Sequence, residues 1–243
     1  MVILHGLFGI SDNWVSIARE LGDQYTVYVP DLRNHGQSQH SPVFDFPAME
    51  DDLLEITEDF NLKKIILLGH SLGGKTAMYF TLHHPEMIRK LIVVDMSLRK
   101  ATVNKEHQML IDAMLKVDFT KASARSDVEL QLASTIHSHR LRQFLLKNVY
   151  RRDKETFDWR LNLAAINENL LNIFEGVQAS GKFEGPVLFI RGGRSEYIME
   201  EDIAELTNKF PGALVKTIPE AGHWVHTDAP GEFLGIIRGF LDQ

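Results

Sequence analysis

The chain has 243 residues, 44% of them hydrophobic and 24% charged, which is enough to bury a large interior as one α/β domain or as a core carrying an insertion. Its 26 Lys and Arg against 33 Asp and Glu leave a net charge of −7, which argues against nucleic acid or an anionic membrane as the main partner. There is no cysteine, so disulfides, thiolate metal sites and cysteine nucleophiles are excluded.

Met1 to Leu4 reads as an apolar strand that runs into the glycine turn His5-Gly6. It is too short for a signal peptide and has no basic leader. No window reaches the ~20 apolar residues of a membrane span, so a soluble, cytoplasmic protein is expected. A helix is predicted near Trp14–Leu21 and a second strand at Tyr25–Val29. In the polar loop Asp31 to Ser38, an Asp31–Arg33 pair with Gly36 and Ser38 would tie the loop beneath a site rim. The less favoured role for Arg33 is contact with an anionic substrate. A helix from about Pro47 to Asp59 follows, then the strand Ile65–Leu68.

That strand runs into Gly69-His70-Ser71-Leu72-Gly73, and a helical pattern follows to about His83. Strand, sharp turn and helix are the context that a G-x-S-x-G nucleophile elbow requires. Small residues at 69 and 73 allow the tight turn that lifts the Ser71 hydroxyl off the sheet edge. The helix aims its N–H groups and positive dipole end at charge developing beside Ser71. A glycine-rich turn with an exposed serine is the bland alternative, and the context argues against it.

Leu91–Val94 is a further short strand, ending at Asp95. From about Leu98 to Lys182 helical spacing takes over. Met109, Ala113, Met114 and Val117 form one stripe; Leu141, Phe144, Leu145 and Val149 form another; Leu163, Ile166, Leu170 and Phe174 form a third. The polar run Arg151 to Glu155 is expected to be a solvated connection between helices. Strand grammar resumes at Pro186–Ile190, followed by a helix near Glu200–Phe210, a strand at Ala213–Ile218 and a last helix from about Pro230. Strands alternating with helices imply a mostly parallel sheet flanked by helices. The expected organisation is a core over 1–97 and 183–243, interrupted by an all-helical lid over 98–182.

A serine hydroxyl needs a base, and the base needs an orienting group. His223 is the base candidate, in the loop between the last strand and the last helix. His226 competes, but the Gly222-His223 turn favours His223. His83, His84, His137 and His139 have helical contexts and no ligand-like partners. The oxyanion donors expected are the backbone N–H groups of Leu72 and Leu7, with Phe8 as the fallback. Loss of one such donor costs ~3–4 kcal/mol in known cases. Two carboxylates can orient the base: Glu196, and Asp95 at the end of its strand, for which a capping role is the alternative. No H-E-x-x-H, EF-hand or phosphate-loop pattern occurs, so no metal or cofactor is implied.

The His5–Gly9 loop, the Asp31–Ser38 loop, the elbow and Gly222-His223-Trp224-Val225-His226 together resemble the α/β-hydrolase superfamily over nearly the whole chain. They are most similar to bacterial YbfF-like esterases. The resemblance implies the α/β-hydrolase fold and a serine hydrolase without cofactor. It implies carboxylic esters as substrates, with acyl-CoA thioesters as a second class, and the compact lid read from the sequence leads to short to medium acyl chains as the expectation. Sheets of this kind usually open with two more strands, so an N-terminal hairpin that is short or missing is expected before His5. Most members place the acid after the strand equivalent to Pro186–Ile190, where this chain has Ser195. The YbfF-like group is similar in placing it after the earlier strand, with a serine at the later position. Asp95 is therefore expected as the acid and Ser195 as its hydrogen-bond partner. Phe8, His5 and Trp224 are expected on the substrate side, with the lid. Carbon–carbon bond hydrolysis, acyl transfer and a catalytically silent binding module are the rival readings. Dehalogenase and epoxide hydrolase chemistry would need an aspartate at position 71.

Overall fold

The computed structural model describes residues 1–100, 105–153 and 156–243. Among the described residues, five parallel strands form the central sheet and lie side by side in chain order. They are β1 (Val2–Leu4), β2 (Ile65–His70), β3 (Ile88–Val94), β6 (Val187–Gly192) and β7 (Ala213–Ile218). The helices of the sheet layers are α1 (Val15–Leu21), α2 (Phe46–Asp59), α3 (Leu72–His83), α9 (Asp202–Lys209), α10 (Val225–Asp228) and α11 (Pro230–Leu241).

The strands are apolar on both faces because helices cover both. Leu67, Leu91, Val93 and Phe189 face Met49, Leu53 and Met78 of α2 and α3. Ile66, Leu68, Ile92 and Ile190 face Ile17 of α1 and Phe233 and Ile237 of α11. Since every strand runs the same way, the loops after all five emerge along one edge. This carboxyl edge is where sheets of this kind hold their ligands.

Between β3 and β6 lie α4 (Lys105–Leu115), α5 (Arg125–Ala133), α6 (His139–Leu146), α7 (Leu163–Glu168) and α8 (Leu170–Phe174). The sequence led us to expect an all-helical segment over 98–182, and this segment is not all-helical. An antiparallel hairpin interrupts it, β4 (Val149–Arg151) with β5 (Phe157–Trp159), paired Val149 to Trp159 and Arg151 to Phe157. Val149 continued the apolar spacing of α6, but the helix stops before Asn148. The Asn148 side chain there donates to the Phe8 carbonyl at 2.7 Å. Arg151 and Arg152 therefore enter a hairpin turn rather than a connection between helices; Lys154 and Glu155 of that polar run lie outside the described residues. The apolar side chains of this segment join the cluster on one face of the sheet, so it does not carry a core of its own.

Two smaller expectations also change. Tyr25–Val29 is not a full strand; it meets β1 through a single bridge, Val2 to Tyr28, closed by the Ile3 N–H on the Tyr28 carbonyl and the Tyr28 N–H on the Met1 carbonyl. Arg33 does not pair with Asp31. Its guanidinium grips Asp52 of α2 through two bonds of 2.6 and 2.7 Å. Asp31 instead accepts the backbone N–H groups of Ser11 and Gln37, at 2.6 and 2.8 Å.

Candidate active site

Ser71 sits between β2 and α3 with φ 53° and ψ −117°, a backbone region that side chains rarely occupy. The turn is this tight because nothing else fits. A Cβ on Gly69 would lie 2.1 Å from the Gly73 carbonyl oxygen, and one on Gly73 would lie 2.5 Å from that of Leu4. The Ser71 N–H donates to the Val94 carbonyl at 3.1 Å and that of Gly73 to His5 at 3.2 Å, locking the elbow to its neighbours.

Asp95 follows β3 and is completely buried, with φ 50°. Its Oδ1 accepts the Gly192 N–H at 3.0 Å. Its Oδ2 accepts His223 Nδ1 at 2.7 Å and also the Ser195 hydroxyl. A carboxylate can only accept here, so the His223 proton lies on Nδ1 and Nε2 is left as the basic nitrogen. Glu196 is exposed, and it is its backbone carbonyl that is engaged, by Arg99 at 2.7 Å. Of the two candidate carboxylates, Asp95 is thus the one brought to His223.

Two aromatic neighbours hold His223 in place, and the sequence assigned neither a role. Tyr197 stacks on its ring at 4.0 Å. His70 Nε2 donates to the His223 carbonyl at 2.9 Å. His226, the rival base, lies flat on Trp14 at 4.1 Å instead of against an acid.

In the first loop the Phe8 N–H is already donated to His35 Nε2 at 3.2 Å, which leaves Leu7 as the donor candidate from that loop. Leu72 is the first residue of α3, where N–H groups have no acceptor within the helix. Phe8 does not reach the substrate side. Its positive φ of 60° turns the ring into the core, where it is 3% exposed. His5 borders the cavity but serves as a strut. Its Nδ1 donates to the Gly6 carbonyl at 2.9 Å, and its Nε2 accepts the Leu32 N–H at 3.0 Å. Trp224 does line the cavity, packed on Phe144 and under the Arg140 guanidinium.

That cavity, about 860 Å³, opens over the carboxyl edge. Ser71 and His223 border it from the core, and His107 of α4 and Phe144 of α6 border it from the inserted segment. Among the described residues no cluster of three or more His, Asp or Glu side chains is arranged to hold a metal ion. None of the described helices is long and apolar enough to cross a membrane.

A family model described as the alpha/beta hydrolase fold matches residues 1–230. The chain belongs to the α/β-hydrolase family. The sn-1-specific diacylglycerol lipase ABHD11 of Danio rerio is 37% identical over 99% of this chain and 78% of its own. Esterase YbfF of Escherichia coli is 33% identical over 100% of this chain and 93% of its own. A solved marine microorganism esterase superposes with a TM-score of 0.95 at 40% identity, covering 98% of this chain and 94% of its own. Membership of this branch places the chain among the ester hydrolases of the α/β-hydrolase family.

The buried histidines of this α/β-hydrolase make its stability depend on acid. Burial pushes His35 and His226 down to about 3, so both are neutral in the folded protein. The unfolded chain binds protons at these groups below its ordinary histidine pKa of about 6.5. Stability therefore falls as pH drops from there toward 3, by up to about 1.4 kcal/mol per pH unit for each group. Urea unfolding at pH 7 and pH 5 is expected to show the loss, and His35→Gln should flatten the slope.

Proposed function

We propose that the protein hydrolyses carboxylic esters of short to medium acyl chains, and acyl-CoA thioesters as a second class, through an acyl-enzyme on Ser71. The observation that carries the reading is the Asp95–His223 bond of 2.7 Å on the wall of the cavity that Ser71 also borders. His223 Nε2 takes the Ser71 proton as Oγ bonds to the acyl carbon. The N–H groups of Leu7 and Leu72 hold the oxyanion, and Asp95 stabilises the imidazolium. The imidazolium then protonates the leaving oxygen or sulfur as its bond to the acyl carbon breaks. Water, activated by the same histidine, releases the acid. Ser195 holds Asp95 in register by its hydroxyl. The segment 98–182 acts as the lid, and its short helices suit short to medium chains.

The test is a panel of p-nitrophenyl esters and acyl-CoA thioesters on the purified protein, with Ser71→Ala as control. Hydrolysis strongest among the shorter esters and lowered by roughly five orders of magnitude in Ser71→Ala is expected. Hydrolysis near the parental rate in Ser71→Ala, or a peak at the longest chains, would count against the reading.

A further inference from the structure

Two cavities meet at Ser71, and they are very unequal. The large one is about 860 Å³; the other is about 30 Å³ and lies between α3 and α8. Ser71 and Leu7 border both, whereas His223 borders only the large one. Leu72 and Lys75 border only the small one.

This asymmetry sorts the two halves of an ester. On the proposed reading, the imidazolium of His223 must deliver its proton to the leaving atom, so the leaving group has to lie on the His223 side. The acyl carbon stays on Ser71 with its oxygen toward the Leu7 and Leu72 amides. Its chain is then left with the space on their side. A water-sized group needs roughly 10–15 Å³ of such space, so the small chamber takes roughly two or three carbon-sized groups.

Lys75 borders that chamber. It stands one helical turn after Ser71 on α3, is 1% exposed, and donates through Nζ to the carbonyls of Phe174, at 3.2 Å, and Glu175. Those bonds pin the end of α8, whose Ile173 and Phe174 form the far wall of the chamber. A buried ammonium is costly unless it is paired, so the clamp is held closed by the desolvation that opening it would leave unbalanced.

We propose that the small chamber is the acyl pocket and that Lys75, by clamping its far wall, is the residue that restricts the acyl group to short chains. The large cavity takes a bulky alcohol or thiol. The inference rests on the proposed ester hydrolysis through Ser71, and it deepens that reading by assigning the sides of the substrate.

The test uses two series on the full protein: p-nitrophenyl esters from acetate to octanoate, and acetates of phenol, 2-naphthol and 4-phenylphenol, whose leaving groups are of similar acidity. Lengthening the acyl chain from butyrate to octanoate is expected to lower kcat/KM by about tenfold or more. Enlarging the aryl group is expected to change it by less than about threefold. Lys75→Met is expected to raise the octanoate-to-acetate ratio by about tenfold. Should that variant not fold, Ile173→Ala, which cuts back the clamped wall, is expected to do the same. A steeper dependence on the aryl group than on the acyl chain overturns the assignment. So does an unchanged ratio in a folded Lys75→Met, or in Ile173→Ala if that variant has to stand in. Hydrolysis of either series by Ser71→Ala at near the parental rate marks a different failure, that of the serine hydrolase reading itself.

Discussion

Replacing Ser71 by alanine is expected to lower kcat for a short-chain p-nitrophenyl ester by roughly 10⁵–10⁶-fold, with little change in KM. Effects of this size follow when the nucleophile of a serine hydrolase is removed, because base and acid then have nothing to activate. The residual rate should still exceed the uncatalysed one, since the Leu7 and Leu72 amides remain to polarise the carbonyl. The serine nearest the acid cannot substitute. Ser195 borders neither cavity at Ser71, and its own hydroxyl is committed to Asp95. Stability should change little, because alanine keeps the Cβ and the same positive φ of 53° that serine already tolerates. Steady-state kinetics beside a thermal unfolding curve checks both parts.

Asp95→Asn is the second large effect, with an expected loss of about 10⁴-fold in kcat. The reason lies in the donors that surround the carboxylate. Oδ2 accepts from both His223 and Ser195, and Oδ1 accepts from the Gly192 N–H. An asparagine must turn its NH₂ toward one side or the other. Facing His223, it demands a lone pair on Nδ1 and so moves the proton to Nε2, the nitrogen that has to accept from Ser71. Facing Gly192, it sets donor against donor in a fully buried position, at a cost of about 1–3 kcal/mol. Glu196→Gln is expected to stay within about twofold of the parent enzyme, because that side chain points to solvent.

Much of this site could be read in the chain itself. The elbow is legible because its requirements are local: an apolar run, small residues at 69 and 73, and a helix pattern behind them. The residues alone left Glu196 and Asp95 both open, and the choice of Asp95 came from the resemblance to esterases that carry a serine at the position of Ser195. What escaped depends on contacts distant in sequence. The Arg33 guanidinium chooses Asp52, 19 residues away, over the aspartate two positions before it. Tyr197 gains its place on His223 only through the packing of two loops. Phe8 looked like a wall of the substrate cavity, yet a positive φ turns it inward, and no pattern of residue types announces that turn. The hairpin of Val149–Arg151 and Phe157–Trp159 was masked because Val149 fits the helical spacing of α6, although Tyr150, Phe157 and Trp159 carried the strand signal.

The central claim is that Ser71 is the nucleophile and that its base is oriented by an acid from β3 rather than from the loop after β6. The rate at which a fluorophosphonate labels the protein tests this most directly, with the adduct mapped by peptide mass spectrometry in the parent, Asp95→Asn and Glu196→Gln proteins. An adduct on Ser71 is expected, formed at parental speed in Glu196→Gln and slowed at least a hundredfold in Asp95→Asn. An adduct on another residue, or slow labelling in Glu196→Gln with parental speed in Asp95→Asn, would contradict it.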